Sequence, residues 1–255
     1  MIKCKTTREI ELMRQAGRIT AEARQLAGSM VAAGVTTGSI DKKVHEFILS
    51  HGAKPAFLNY NGFPGSICVS INEQVIHGIP SSRKLNEGDL VSLDVGASMG
   101  GYIGDCAATY VAGEADAETH RLISVTRQCF YEGLKFAAVG YRVSDISRAI
   151  QKYAEDNGYS VVREFVGHGI GSKMHEEPEV PNFVEERRQR ADPRLLPGMT
   201  LAIEPMINEG GAEIRILADR FTVVTADGKR SAHYENTILI TEGEPEILTY
   251  CEGMP

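Results

Sequence analysis

"LVSLDVGASMGGYIGDCAATY", residues 90–110, reads as two β-strands joined by a glycine-rich turn, with one aspartate in each strand among small and apolar neighbours. A carboxylate buried in such a strand is costly unless something neutralises it. Asp94 and Asp105 therefore need a partner from elsewhere in the chain. Upstream, Thr6 and Glu9 have the spacing of a capping box, and a helix is expected from there to about Met30, with Ile10, Met13, Gly17, Thr20 and Arg24 along one side. A second helix follows Thr36–Ser39, with Ile40, Val44, Phe47 and Ile48 at helical spacing and Gly52 as its stop. Further β-type runs are expected at 67–71, 90–95 and 102–111, and the segment 113–118 as a loop.

The pattern then starts again. Gly34, Val35, Ser39, Ile40 and Gly52 are echoed by Gly140, Val143, Ser144–Ile146 and Gly158. "LNEGDLVSLD" (85–94) resembles "LLPGMTLAIE" (195–204), and "DCAATYVAG" (105–113) lies more loosely over "ENTILITEG" (235–243). Asp94 thus falls on Glu204 and Asp105 on Glu235. Self-similarity of this kind is the mark of a duplicated unit. Each half is expected to be helix, helix and a β-hairpin carrying two acids: an α+β chain in one catalytic domain, residues 1–255, with halves of about 1–115 and 116–255.

If the halves meet face to face, four carboxylates converge. Two like charges about 4 Å apart repel by roughly 4 kcal/mol at an effective dielectric of 20, and four charges make six such pairs. Two divalent cations bring the formal sum to zero. His168, in "FVGHGIGSKMHEEPEV" (165–180), is a fifth candidate ligand, because the glycines on either side let the backbone approach closely. One imidazole among carboxylates is too oxygen-rich for a structural zinc site and suits a catalytic pair of manganese, iron or cobalt type, with catalytic zinc left open. Such a pair acidifies a shared water and polarises a carbonyl, which is the chemistry of hydrolysis. His77 in "EQVIHGIP" and His175 in "KMHEEPEV" sit beside glycine and proline turns. Each is either a turn histidine or a donor to the substrate carbonyl or the tetrahedral oxyanion. His45, His51, His120 and His233 have no comparable context and read as structural or surface residues.

Bulk composition narrows the class. The chain has 255 residues, 42% hydrophobic, with no apolar run approaching the roughly 20 residues of a membrane span. The N-terminus has no apolar segment of the secretory type. Five scattered cysteines without a C-x-x-C pair indicate reduced thiols and a cytoplasmic location. A net charge of −7 argues against general nucleic-acid binding, and the mixed-sign run 185–194 reads as a solvated loop.

The set Asp94, Asp105, His168, Glu204 and Glu235 resembles the metal-ligand pattern of the methionine aminopeptidases, with similar surrounding strings "SINEQVIHGIP", "GHGIGSKMHEEP", "GMTLAIEPM" and "AHYENTILIT". The likeness runs from about Thr7 to Thr241 and favours the type I, bacterial-like form, without an insertion between Glu204 and Glu235. It implies the pita-bread fold, with a pseudo-two-fold pair of halves around a central antiparallel sheet. It also implies removal of the initiator methionine from nascent chains whose second residue is small. By that resemblance Asp105, His168, Glu204 and Glu235 hold one ion, and Asp94, Asp105 and Glu235 hold the other. Glu204 shuttles a proton, His77 contacts substrate near the scissile bond, and His175 steadies the carbonyl oxygen. Tyr60, Phe63, Cys68 and Phe221, with Met174 at the edge, form the methionine pocket. A monovalent cation near Asn72, Gln74 and Ser231, a monomeric state and action at the ribosome, without membrane or specific nucleic acid, complete the expectation. The sequence departs from the family's usual residues at Phe57, where cysteine is common, at Gly96, where a hydroxyl residue is common, and at Phe221, where tryptophan is frequent. An X-Pro aminopeptidase or prolidase shares the fold and the five ligands, but usually carries an N-terminal domain for which a first helix near residue 6 leaves no room. A non-catalytic binding relative would be expected to have lost ligands.

Overall fold

The computed structural model describes residues 2–184 and 192–251, so most of the mixed-charge run lies outside the described residues. The first half comprises α1 (Thr7–Ser29), α2 (Thr37–Ser50), β1 (Lys54–Pro55), β2 (Ile67–Ile71), β3 (Gln74–Ile76), β4 (Leu90–Met99) and β5 (Tyr102–Val111). Thr6 and Glu9 form the expected capping box on α1, and Thr36 caps α2 by accepting from the Ser39 N–H. α2 ends where the chain turns through Gly52 at φ +71°, a left-handed conformation that favours glycine. β4 and β5 pair over their whole length around the turn at Gly100–Gly101, with Asp94 opposite Ala107 and Gly96 opposite Asp105.

The second half repeats the scheme with α3 (Ala117–Leu134), α4 (Val143–Asp156), β6 (Ser160–Val161), β7 (Gly167–Gly169), β8 (Glu176–Val180) and β9 (Thr200–Ile203), then β10 (Met206–Asn208), β11 (Ile214–Ile216), β12 (Val223–Thr225), β13 (Ser231–His233), β14 (Glu235–Leu239) and β15 (Glu246–Ile247). The repeat extends to individual hydrogen bonds. Leu85 N–H donates to Val35 O as Leu195 N–H donates to Tyr141 O, and Thr37 N–H to Arg83 O as Val143 N–H to Pro193 O. Gly34 and Gly140 both take positive φ, as do Gly88 and Gly198. The halves differ in how the two central strands of each are joined. β9 and β14 pair antiparallel, Ile203 opposite Asn236, but the chain between them makes an excursion through β10–β13. Pro205 has no N–H with which to continue the ladder, and β10 turns away to pair with β13 and β6.

The main sheet has nine strands, ordered β1-β4-β5-β14-β9-β7-β8, with β2 also on β4 and β15 on β14. The halves join at the central β5–β14 pair. Strand alternation sends Val91, Leu93 and Val95 against Ile40, Val44 and Ile48 of α2, and Leu201, Ile203 and Ile238 against Leu122, Phe130, Ile146 and Ile150 of α3 and α4. Fully burying a side chain of this size contributes about 1.5–3 kcal/mol, so these two layers fix which face of the sheet is dry. α1 crosses the centre directly. A Cβ on Gly104 would stand 2.7 Å from the Gly17 Cα, so helix and strand touch through their backbones. The mixed stripe of α1 is its buried face. Thr20 Oγ1 donates to Ala16 O and Gly104 O, and Arg24 Nη1 donates to Ala107 O. Among the described residues, no helix is long and apolar enough to cross a membrane.

Candidate metal centre

The register that packs apolar side chains on the helices sends the acids to the opposite face. Asp94 on β4 faces Ala107 on β5, which faces Glu235 on β14; Glu204 follows β9 directly, beyond the Ile203–Asn236 pair. One step along the strands, Gly96 faces Asp105, and Ala202 stands between Thr237 of β14 and His168 of β7. The Thr237 hydroxyl bridges β5 and β14 at this level, accepting from Asp105 N–H and donating to Asp105 O. Two adjacent rows across the sheet thus gather four carboxylates and one imidazole. Close backbone approach accounts for the glycines beside His168, since a Cβ on Gly167 would lie 2.4 Å from Ala202 O and one on Gly169 2.3 Å from Glu177 O.

Electrostatically the cluster is unbalanced. Asp105 and Glu235 are buried, while Asp94 and Glu204 are partly exposed at the wall of a cavity. Burial, and after it the mutual repulsion of the acids, raises the pKa of Asp105, Glu204 and Glu235 well above the ordinary carboxylate range. Asp94 is raised by burial too, although hydrogen bonds with Asp105 and Cys68 oppose the shift. Asp94 Oδ1, Asp105 Oδ1 and Glu235 Oε1 are out of solvent with no hydrogen-bond partner. Carboxylate oxygens left bare together, with no lysine or arginine among the groups that shift them, fit a site built for cations. Asp105, His168 and Glu235 offer donor atoms within 4.8 Å of one another, and so do Asp94, His233 and Glu235. His168 Nε2 is 3.5 Å from Glu204 Oε1, and its Nδ1 is tied to Gly169 O at 2.9 Å. Burial, reinforced by His175, pushes the His168 pKa down to about 4, so its ring is neutral and able to ligate.

The remaining residues named from sequence line the same cavity of about 170 Å³. Phe63 and Phe221 meet edge-on at 5.4 Å, and Cys68 and Met174 are buried beside them. Tyr60 OH and His175 Nδ1 are hydrogen-bonded at 2.8 Å, and the His175 ring stands edge-on to His168 at 4.3 Å. His77 holds a left-handed backbone, φ +58°, which is uncommon for a non-glycine residue and aims its ring from the end of β3. Burial and then the neighbouring His175 push its pKa down to about 4. Asn72 and Ser231 also meet, through Ser231 N–H donating to Asn72 O at 2.9 Å.

Three further residues lie at the site, of which sequence reading names Phe57 only as a departure from the family's usual residues. Phe57 and Asn61 complete the cavity wall. His233, read as structural or surface, is 2% exposed and lies behind the carboxylates with Nε2 3.8 Å from Glu235 Oε2. The available signal was its position two residues before Glu235 in a β-rich run, which puts both side chains on one side of the strand.

Against known proteins, residues 11–242 match the model of metallopeptidase family M24. The chain is 51% identical over 249 residues to a methionine aminopeptidase of Clostridium perfringens, covering 98% of this chain and 99% of that one. The chain belongs to the methionine aminopeptidases of family M24. Solved structures of the family superpose closely on it. The Thermotoga maritima methionine aminopeptidase superposes with a TM-score of 0.95 at 42% identity, covering 98% of this chain and 100% of that one. The Rickettsia prowazekii methionine aminopeptidase gives 0.94 at 41% identity, over 98% and 100% of the two chains. A Pyrococcus furiosus prolidase shares the fold at 21% identity, with a TM-score of 0.77 over 98% of this chain and 66% of that one.

Proposed function

We propose that the protein hydrolyses the peptide bond after an N-terminal methionine in nascent chains whose second residue is small, using two divalent cations. Asp105, His168, Glu204 and Glu235 would hold one ion and Asp94, Asp105 and Glu235 the other, four carboxylates balancing two divalent charges. When bound, such ions supply Lewis acidity and a water acid enough to act as nucleophile at neutral pH. The rest of the work falls to the chain's own groups. Phe63, Cys68, Phe221 and Met174, with Tyr60 at the rim, offer the methionine thioether an aromatic and sulfur-lined slot. With Tyr60 OH donating to Nδ1, the His175 proton sits on Nε2 and is donated to the carbonyl oxygen as it gains charge. His77 contacts the substrate beside the scissile bond, and Glu204 takes a proton from the nucleophile and hands it to the leaving amine. The observation that carries the reading is the trio of bare, buried carboxylate oxygens on the floor of that slot.

The two halves, about 1–115 and 116–255, act here as one catalytic domain. Cobalt, manganese, iron and zinc are the candidate ions, with one monovalent cation at the carbonyls near Asn72, Gln74 and Ser231. Five scattered cysteines without a C-x-x-C pair support a cytoplasmic location, and the net charge of −7 argues against nucleic acid as substrate. A monomer acting on chains at the ribosome is what the family resemblance implies. The test compares Met-Ala-Ser with an X-Pro peptide before and after chelation. Cleavage of Met-Ala-Ser, lost with chelator and restored by a divalent salt, is expected. Cleavage confined to the X-Pro peptide would make the enzyme a prolidase-type hydrolase instead. Asp105→Asn and Glu235→Gln should each abolish turnover, because each removes a carboxylate shared by both ions.

A further inference from the structure

His233 lies outside the residue set assigned above, and its imidazole has no evident structural task. The Nε2 atom is out of solvent and without a hydrogen-bond partner, a state that a folded protein rarely leaves uncompensated. Glu235 Oε2, at 3.8 Å, is too distant for a hydrogen bond. Two donors each about 2.1 Å from a shared cation can stand up to about 4.2 Å apart, so this separation suits a cation between them. Asp94 supplies a third donor atom within 4.8 Å of the other two. The backbone is held for the purpose: His233 N–H donates to Thr109 Oγ1 and that hydroxyl donates back to His233 O, while Met206 faces His233 across β10.

The geometry points to His233 as a nitrogen ligand of the ion shared by Asp94 and Glu235, an assignment that rests on the two-ion reading above. Each ion then receives one imidazole, His168 for one and His233 for the other, with Glu235 common to both donor groups. The resemblance to the family implies carboxylates alone for the second ion. A nitrogen in that set moves its preference from manganese toward iron, cobalt or zinc.

The experiment titrates chelator-stripped protein with Co²⁺ alone, reading stoichiometry and affinity by calorimetry and the ligand field by visible absorption, and repeats the titration with Mn²⁺. Wild-type protein should take up two ions. His233→Gln and His233→Asn should weaken one binding step by about tenfold or more, change the absorption of that step only, and weaken Mn²⁺ binding less than Co²⁺ binding. Unchanged affinities and spectra in both variants would overturn the assignment and leave the two-ion reading standing. Equal weakening of both steps would make His233 a support of the whole centre rather than a ligand, which also overturns it. A wild-type stoichiometry below two would remove the two-ion reading, and this inference with it.

Discussion

Gly96 and Phe57, both read from sequence as departures from the family pattern, form a single packing unit. A Cβ on Gly96 would stand 2.6 Å from the Phe57 ring, so the phenyl group occupies the space that a side chain at 96 would need. Gly96→Thr should therefore destabilise the protein by about 1–3 kcal/mol through overpacking. Combining it with Phe57→Cys should recover much of that loss, as read from the Tm of the single and double variants; strict additivity would mean that the two positions do not interact. His175 makes a different case, because its ring lines the cavity rather than filling core. His175→Ala should lower kcat about 10²-fold, the scale of one lost oxyanion donor, with bound metal unchanged in elemental analysis. Parallel loss of metal would make His175 a ligand. Residues of this kind were legible in sequence where composition was unusual, such as acids inside apolar strands. Asn61 and His233 were not, because an asparagine in a turn or a lone histidine in a β-rich segment looks the same whether it is structural or faces a site.

Elements were easier to read than the contacts between them. The capping box at Thr6, the glycine stop at Gly52 and the strands at 67–71 and 102–111 follow from local chemistry, and the structure has them in place. The central strand β4 runs on to Met99, four residues past its expected end, because β5 supplies a partner along its whole length. The contact of α1 with β5 is a tertiary matter. Gly17 read as one member of a mixed stripe, yet it lets the helix backbone rest on Gly104 and on Leu248, whose carbonyl oxygen would lie 2.4 Å from a Cβ at 17. Gly104→Val should cost about 2–3 kcal/mol, a fall in Tm of roughly 4–12 °C for a chain of this size, measured by calorimetry. An unchanged Tm would show that the helix can move aside freely.

For the molecule as a whole, the price of gathering four acids appears in the pH dependence of the metal-free state. Burial raises the carboxyl pKa values above their usual 3.8–4.5, so the stability these groups contribute is complete below that range and is lost as pH rises toward their values in the fold. The lowered histidines act in the opposite sense: His77 and His168 contribute fully above 6.5 and lose that contribution as pH falls toward about 4. Between pH 6.5, where the histidine contribution is complete, and about 7, where Asp94 titrates in the fold, the carboxyl groups therefore set the slope. Chelator-treated protein should lose Tm steadily across that window, while protein with excess Mn²⁺ should not. Parallel melting curves with and without metal would contradict a carboxylate centre neutralised by cations.

The start of α3 at Ala117 fell inside a segment read as loop, but by itself the sequence pointed to the repeat, to the ends of the first two helices and to the correspondence of acid with acid between the halves. Those follow from periodicity, capping and the cost of a carboxylate in an apolar strand, all of which act between near neighbours. Only the tertiary structure decided that β5 and β14 meet in the middle of one sheet, that their register aligns Asp94 with Glu235 across Ala107, and that His233 stands behind them unpartnered. Strand register is set by contacts between segments more than a hundred residues apart, and a one-residue slip would turn every one of those side chains to the opposite face.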